Sequence, residues 1–160
     1  SVIPYFLNQA KKGIITITDS AMTRFNITLE EGVKMVLWAI ENSLGGEIFV
    51  PKIPSYKIID VANAIGPNCR KEVIGIRPGE KIHEEMITTA DSLTTLDLGK
   101  YYAILPSDGN LMENYKRISN KYRMVEEGFT YNSGRNAEFL TIERIRELIC
   151  SNIDIKFKPQ

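Results

Sequence analysis

A helix with recognisable residues at both ends is the feature that most constrains the fold of this 160-residue chain. Thr28 and Glu31 match the capping box of a helix N-terminus, and Gly45-Gly46 can end the same helix. Between these ends apolar residues recur at helical spacing, at Leu29, Val33, Val36, Leu37, Ile40 and Leu44. The pattern predicts an amphipathic helix, with Trp38 on a neighbouring face that packs against another element.

Short apolar, β-branched runs alternate with further helical patterns. Strands are predicted at Ile14–Thr18, Phe25–Ile27, Glu47–Val50, Val73–Ile76 and Tyr101–Leu105. Helices are predicted at Pro4–Lys12, from a Ser55 cap to Ile65, and after a Thr141 cap with Leu140 and Ile145 as a hydrophobic staple. Asp108–Gly128 is polar and gives no clear pattern. This alternation predicts the α/β class, and the length predicts one domain.

Charge and composition exclude several functional classes. Twenty basic residues balance twenty acidic ones, so we expect no nucleic-acid or membrane partner. No apolar stretch approaches the roughly 20 residues of a membrane helix, and the first residues lack the pattern of a signal peptide. Cys69 and Cys150 form neither a disulfide framework nor a metal-ligand spacing. We therefore expect a soluble, cytoplasmic protein.

The usual signatures of cofactor chemistry are missing from the sequence. The glycines include no pair at G-x-G spacing, and Gly79-Glu80-Lys81 lacks the ending of a phosphate-binding loop. No tyrosine has a lysine four residues later, and the single histidine, His83, has no local partners for a metal site. We therefore expect no catalytic, cofactor-binding or metal-binding residue in this chain.

Two segments carry an arginine next to a predicted strand end. Arg24 lies between a strand and a capped helix, and Arg77 precedes a Pro-Gly turn. Ligands of open α/β sheets gather at such strand ends, and a guanidinium can hold a diphosphate bidentately. On spacing alone, an arginine beside a turn is more often a solvated or salt-bridged surface residue. His83 with Glu84 and Glu85 is typical of a surface or packing histidine on a solvated face.

Several motifs in one register resemble the inverting UDP-N-acetylglucosamine 4,6-dehydratases of the extended short-chain dehydrogenase/reductase superfamily, polysaccharide-biosynthesis group. The matching segments are residues 1–6, 17–19, 22–28, 46–55 and 76–84, and the likeness returns in 131–133 and 136–149. The resemblance divides the single substrate-binding domain 1–160 into a sugar-nucleotide part (1–88), a variable region (89–128) and a C-terminal helix region (129–160).

The resemblance also implies roles for individual residues. Arg24 and Arg77 match arginines that grip the nucleotide diphosphate, and Glu80 matches an acidic residue of the uridine pocket. The segment Ser1–Phe6 matches the stretch that runs past the uracil, where Pro4 could make contacts. Thr18 and Met22 are further candidates for lining the same site.

The N-terminal half of the family's enzymes has no counterpart in this sequence. The dinucleotide-binding turn, the acid/base carboxylate and lysine, and the Tyr/Lys pair have no equivalent here. A complete enzyme is therefore expected to use NADP, whereas this chain is expected to bind a UDP-sugar weakly and to catalyse nothing alone. Its expected partners are the cofactor-binding half and, through exposed apolar surface, a second copy of itself. A stand-alone nucleotide-sugar-binding module and an oligomerising domain with a decayed pocket remain alternatives.

Overall fold

The computed structural model describes residues 2–107 and 110–160, so that Ser1 of the expected uracil segment and Asp108 lie outside the described residues. The helices are α1 (Val2–Ala10), α2 (Leu29–Asn42), α3 (Ile58–Ile65), α4 (Asn110–Ile118) and α5 (Ile142–Asn152), with a 3-10 turn at Asp91–Thr94. The strands are β1 (Ile14–Ile17), β2 (Thr23–Phe25), β3 (Ile48–Pro51), β4 (Ser55–Lys57), β5 (Arg70–Val73), β6 (Glu85–Ile87), β7 (Thr95–Asp97), β8 (Tyr101–Ile104), β9 (Arg123–Met124) and β10 (Tyr131–Asn132). The predicted α/β class is confirmed.

A first compact unit combines the described residues up to Asn26 with Pro54–Glu84 and Ser133–Gln160. In it β1 pairs in parallel with β5, and β2 pairs antiparallel with β4. Its core is formed by α1, β1, α3 and α5, and the fully buried side chains at its centre are Phe6, Ile15, Ile17, Val61, Ile65 and Ile149. Apolar side chains from three helices therefore cover one short parallel strand pair.

A second compact unit contains the described residues of Ile27–Ile53 and Glu85–Asn132. Its main sheet is antiparallel, with the strand order β3-β8-β7-β9, and β6 pairs separately with β10. Trp38 of α2 packs 4.4 Å from the ring of Tyr101 and 5.1 Å from that of Phe49, as centroid distances. The expectation that Trp38 packs against another element is confirmed.

The predicted N-terminal caps of α2 and α5 and the terminating glycine after α1 are confirmed, whereas α2 ends at Asn42 with Ser43 as its C-cap, before the predicted Gly45-Gly46. The Thr28 hydroxyl accepts from the Glu31 N–H while the Glu31 carboxylate accepts from the Thr28 N–H, which completes the capping box of α2. The Thr141 hydroxyl accepts from the Arg144 N–H at the start of α5. Gly13 follows α1 with φ 76°, the left-handed conformation expected of a terminating glycine.

Other local predictions were wrong. The strand predicted at Phe25–Ile27 is instead Thr23–Phe25, because β4 pairs with that stretch. Ser55 does not cap α3: it lies in β4 with no exposed surface, and its hydroxyl accepts from the Asn136 amide at 3.0 Å. The residue at the N-cap is Lys57, whose side chain makes no capping bond. The strand predicted at Val73–Ile76 is instead Arg70–Val73, because the partner β1 pairs with that earlier stretch.

The apolar stripe of α2 is exposed, although the helix was predicted from it. Leu29 is 86% exposed, Ile40 is 73% exposed, and no residue of α2 is buried. A helix that packs through Trp38 on one side and carries aliphatic side chains on another is typical of an element covered on both sides. The helices of the described residues include none that is long and apolar enough to span a membrane.

A tyrosine and a carboxylate connect α4 to the residues before β3. The Tyr115 hydroxyl donates to Glu47, which also accepts the N–H groups of Leu44 and Gly45. Burial, with the adjacent Glu47 carboxylate, raises the pKa of the Tyr115 hydroxyl far above its ordinary value. Burial alone would raise the pKa of Glu47, but these hydrogen bonds outweigh it and hold that pKa below its usual value.

A substitution of Gly66, at the end of α3, tests how tightly the first unit is packed. A Cβ there would lie 2.5 Å from the Cys69 sulfur and 3.0 Å from Ile15 Cδ1, closer than real contacts allow. We expect Gly66→Ala to lower the free energy of unfolding by about 1–3 kcal/mol, the usual cost of overpacking. Denaturant unfolding followed by far-ultraviolet circular dichroism measures this.

Gly32→Ala is the matched control, since a Cβ at this position in α2 meets no atom within 4 Å. Because alanine is the better helix former, this variant should gain about 0.5–1 kcal/mol in the unit that contains Trp38. Trp38 fluorescence reports that unit separately, since Trp38 is the one tryptophan of the chain. A Gly66→Ala protein as stable as Gly32→Ala would contradict the close packing at Cys69.

Candidate functional site

A pocket of about 540 Å³ in the first unit brings most of the predicted site residues together. Its walls are formed by Val2, Tyr5, Phe6, Thr16, Thr18, Met22, Arg24, Phe25, Tyr56, Ile58, Ile74, Arg77, Glu80 and Glu84. Five residues proposed from sequence are among them, namely Thr18, Met22, Arg24, Arg77 and Glu80. Pro4, the sixth, is an exposed residue of α1 that does not line the pocket, whereas its neighbours Tyr5 and Phe6 do.

Arg24 is held at the pocket wall by main-chain carbonyl groups. Its Nη1 donates to the Thr23 carbonyl at 2.7 Å and to the Ile82 carbonyl at 3.1 Å. Its Nε lies 3.7 Å from a Glu84 carboxylate oxygen, and the side chain is 20% exposed. Within the described residues Nη2 has no hydrogen-bond partner, so part of this fixed guanidinium can donate to a ligand.

Arg77 and Glu80 occupy a tight turn after β5. The Glu80 N–H donates to the Arg77 carbonyl at 3.0 Å, and Gly79 supplies the positive φ of 80°. The Glu80 carboxylate accepts from the Arg77 N–H at 3.3 Å and from the Thr18 hydroxyl at 3.5 Å. The turn thus keeps an exposed arginine and a carboxylate beside the end of β1.

Aromatic side chains of α1 form another part of the wall. The amide nitrogen of Gln9 donates to the Tyr5 hydroxyl at 3.0 Å and to the Thr16 hydroxyl at 2.7 Å. The Gln9 amide oxygen in turn accepts from the Thr16 N–H at 3.0 Å. These bonds fix Tyr5, whose side chain is half exposed, against β1 and leave its ring available to a planar ligand.

Tyr56 and Glu84 line the pocket but were not proposed from sequence. Tyr56 lies opposite Arg24 in the β2–β4 register, and Glu84 accepts from the Phe25 N–H at 2.8 Å. Burial raises the pKa of the Tyr56 hydroxyl, and the Glu84 carboxylate raises it further, so Tyr56 is a neutral donor at physiological pH. The Glu84 side chain is 44% exposed, as expected of a solvated face, and it also lies at the pocket wall. Both placements depend on strand contacts that sequence spacing does not encode.

The turn after β1 differs from the turn that holds a dinucleotide in this fold class. In this fold class the pyrophosphate lies on a glycine-rich turn that joins a parallel strand to a helix N-terminus. The parallel strand β1 is followed by Thr18-Asp19-Ser20, which contains no glycine, and leads to β2 instead of a helix. Among the described residues there is also no group of three His, Cys, Asp or Glu side chains that could hold a metal ion.

Comparisons with known proteins show which family this chain is similar to. The model described as "Polysaccharide biosynthesis protein" matches residues 1–106. A UDP-N-acetylglucosamine 4,6-dehydratase (inverting) from Campylobacter jejuni is 44% identical over 155 residues, 93% of this chain and 46% of that protein. A UDP-glucose 4-epimerase from Rickettsia felis is 37% identical over 162 residues, 96% of this chain and 46% of that protein.

The fold expected from the resemblance is supported by a solved structure. The X-ray structure of Pen from Bacillus thuringiensis matches with a TM-score of 0.77 and 30% identity, over 94% of this chain and 45% of that one. The chain spans about half the length of the curated relatives it matches. The similarity to inverting dehydratases is confirmed, and because the family model covers more than half of the sequence, the chain belongs to the polysaccharide biosynthesis protein family.

Proposed function

We propose that the pocket of the first unit binds the diphosphate and uridine of a UDP-sugar, of the UDP-N-acetylglucosamine class. The chain is then the substrate-binding part of a nucleotide-sugar 4,6-dehydratase that serves surface polysaccharide or glycan biosynthesis. The observation that carries the proposal is that Arg24 and Arg77, far apart in sequence, line one pocket with Glu80 and Thr18.

The two arginines suit a diphosphate in complementary ways. Arg24 is oriented by the carbonyls of Thr23 and Ile82, so its donors keep a fixed direction without a ligand. Arg77 is exposed on its turn and can adjust to a phosphate that arrives. Charge-assisted bonds from a planar guanidinium to phosphate are short and directional, which a lysine at either position could not reproduce.

The other wall residues suit a nucleoside. The Glu80 carboxylate can accept from a ribose hydroxyl, and its weak 3.5 Å contact with Thr18 leaves room for such a partner. Tyr5 and Phe6 offer aromatic surface to a uracil ring, in the segment where Pro4 was expected to make contacts. Met22 is buried and adds apolar surface to the pocket wall.

Catalysis by a complete enzyme requires more than this chain supplies. The dehydratase chemistry is expected to use NADP, and the turn after β1 has no glycine on which its pyrophosphate would lie. The chain alone is accordingly a binding region without turnover. Its activity is proposed to arise with a cofactor-binding half, in the cytoplasm, where free Cys69 and Cys150 fit the reducing conditions.

Two alternative functions would use the same pocket. Similarity to UDP-glucose 4-epimerases favours a UDP-hexose epimerase as the complete enzyme, which would use the same diphosphate contacts. A stand-alone nucleotide-sugar-binding module would keep the pocket without any catalytic partner. The epimerase alternative predicts that UDP-glucose is turned over once a cofactor-binding half is added to this chain. The stand-alone module predicts no turnover.

The exposed face of α2 is proposed as the surface that the cofactor-binding half covers. Leu29, Val36, Leu37 and Ile40 are each more than half exposed along it. Relatives that match over this whole chain have about as much sequence again. An additional unit of that size provides the apolar layer that the helix lacks. Association of this chain with a second copy is the competing use of the same face.

The first prediction concerns ligand selectivity and is measured by isothermal titration calorimetry. UDP should bind through the two arginines and the nucleoside-facing wall of the pocket. NADP, which also carries a diphosphate, should give no heat, because the turn after β1 lacks the glycines of a dinucleotide site. Arg77→Ala should weaken UDP binding by about 1.5–3 kcal/mol, the scale of a charge-assisted contact, without changing the binding of uridine.

Arg70→Ala is the matched control for this titration. Arg70 is a surface arginine of β5 whose side chain is 75% exposed and pairs with Glu72 outside the pocket. Its removal should leave the UDP dissociation constant unchanged. If both variants bound UDP equally, or if the folded wild-type chain bound no UDP, the diphosphate assignment would be wrong.

A second prediction concerns α2 and is measured by sedimentation velocity. The chain should bind the separately produced part of the Campylobacter jejuni relative that it does not match, and Leu37→Glu should abolish this because it places a charge on the apolar face. Lys34→Glu is the control: it lies on the same helix at a polar position, and its exposed ion pair with Glu30 contributes little.

The outcomes of this second experiment show whether the exposed face of α2 binds the cofactor-binding half or a second copy of the chain. Binding that Leu37→Glu removes and Lys34→Glu retains supports the cofactor half as the partner. Self-association that Leu37→Glu removes, with no binding to the added part, assigns the face to a second copy instead. A monomer that binds nothing at high micromolar concentration would contradict both assignments.

A further inference from the structure

Three polar side chains form a buried hydrogen-bonded series behind the pocket. The Thr23 hydroxyl lies 2.8 Å from His83 Nδ1 and 2.7 Å from the Ser133 hydroxyl. Ser133 is fully buried and Thr23 is 4% exposed. The series joins β2, the segment before β6 and the segment after β10, all within the first unit.

The protons of this series can be assigned by counting donors and acceptors. The Ser133 hydroxyl oxygen accepts the Glu84 N–H at 2.8 Å, and that group cannot accept in return. Within the described part of the chain, Thr23 is therefore the one acceptor available to the Ser133 proton. Thr23 must then send its own proton to His83 Nδ1, which has to be a bare acceptor.

The opposite assignment leaves a buried proton without a partner. If Nδ1 carried hydrogen and donated to Thr23, the Thr23 proton would turn to Ser133. The Ser133 proton would then have no acceptor among the described residues, on a side chain with no exposed surface. A buried unsatisfied donor is costly, so the geometry selects the neutral imidazole with its hydrogen on Nε2.

The series supports the groups that form the pocket wall. Ser133 holds Glu84 by two bonds, accepting its N–H and donating the Ser133 N–H to the Glu84 carbonyl at 2.8 Å. The Thr23 N–H donates at 3.0 Å to the carbonyl of Ile82, the residue before His83. Arg24 takes its orientation from the carbonyls of Thr23 and Ile82, and its Nε faces Glu84.

Gly134 lies directly against the His83 imidazole. A Cβ at this position would lie 2.5 Å from His83 Nδ1 and 2.7 Å from two ring carbons. The main chain after Ser133 therefore packs directly on the ring, on the side of the nitrogen that the series uses. Any side chain at residue 134 would displace the acceptor.

We propose that His83 is a positioning residue for UDP-sugar binding: its neutral, Nε2-protonated imidazole ends the Ser133–Thr23 series and thereby fixes Arg24 and Glu84 in the pocket wall. His83 itself is not among the residues that line the pocket. Its effect on the ligand passes through Thr23, Ile82 and Ser133. The ligand part of this inference rests on the proposed function, whereas the protonation pattern does not.

The protonation pattern is tested by nuclear magnetic resonance of the complete chain. Because the sequence contains one histidine, the long-range proton–nitrogen spectrum shows one imidazole without assignment work. At pH 8, where an ordinary imidazole is neutral, we expect Nδ1 to resonate as an unprotonated, hydrogen-bonded nitrogen. In Thr23→Val the Nδ1 resonance should move to the position of an unprotonated nitrogen without a donor.

The positioning role is tested by UDP titration of matched variants. His83→Asn supplies a carbonyl oxygen in place of Nδ1 and should stay within about threefold of wild type, whereas His83→Leu supplies no acceptor and should lose about tenfold, the scale of one buried hydrogen bond. Gly134→Ala, which keeps the histidine but displaces its ring, should resemble His83→Leu. Circular dichroism establishes that each variant is folded.

The possible results separate this inference from the proposed function. A protonated Nδ1 at pH 8, or an Nδ1 resonance that Thr23→Val does not change, would overturn the protonation pattern. UDP affinity that is equal in the folded Asn and Leu variants would overturn the positioning role. If wild type bound no UDP, the proposed function would fail, while the spectrum would still decide the hydrogen-bonded series.

Discussion

The candidate site depends on how β2 is attached to the segment before β6. The Thr23 N–H donates to the Ile82 carbonyl at 3.0 Å, and the Phe25 N–H donates to the Glu84 carboxylate at 2.8 Å. β2 is three residues long and pairs on its other edge with β4, so few bonds fix it. Because neighbouring side chains of a strand point to opposite faces, Thr23 enters the buried series while Arg24 reaches the pocket wall. One short strand therefore connects a structural network to a binding surface.

The elements that sequence predicted best are those fixed by local contacts. The capping box of Thr28 and Glu31 involves residues of one turn, and its hydrogen bonds form as the motif requires. Ser55 carries the same chemistry but bonds to Asn136, and the Ser55 N–H donates to the Glu138 carbonyl at 2.9 Å. Those partners are distant in sequence, so no local rule could separate a cap from a strand residue at this position.

The residues that line the pocket divide in the same way between local and tertiary contacts. Arg77 and Glu80 belong to one motif and share one turn, and both line the pocket. Tyr56 reaches the pocket because β4 pairs with β2. Glu84 reaches it because its carboxylate accepts from the Phe25 N–H, as the carbonyl of a neighbouring strand would do. Such placements follow from tertiary pairing. The exposure of α2 has a similar origin, since a periodic pattern predicts a helix without showing what covers it.

Charge balance in the pocket limits how a diphosphate can be held there. Arg24 and Arg77 contribute two positive charges, and Glu80 and Glu84 contribute two negative charges to the same wall. The pocket therefore offers no net attraction over a distance, and the whole chain is also neutral. Affinity has to come from oriented donors at short range, where bidentate geometry decides the strength of each contact.

Glu84 contributes to that orientation instead of cancelling it. Its carboxylate is held by the Phe25 N–H and lies 3.7 Å from Arg24 Nε, beyond the distance of a direct hydrogen bond. The two carbonyls that accept from Nη1 set the plane of the guanidinium, and the Glu84 carboxylate faces the Nε edge. A ligand then meets donors whose conformational entropy is already reduced. Binding strength in this pocket is consequently a property of the contacts behind Arg24 as much as of the arginine itself.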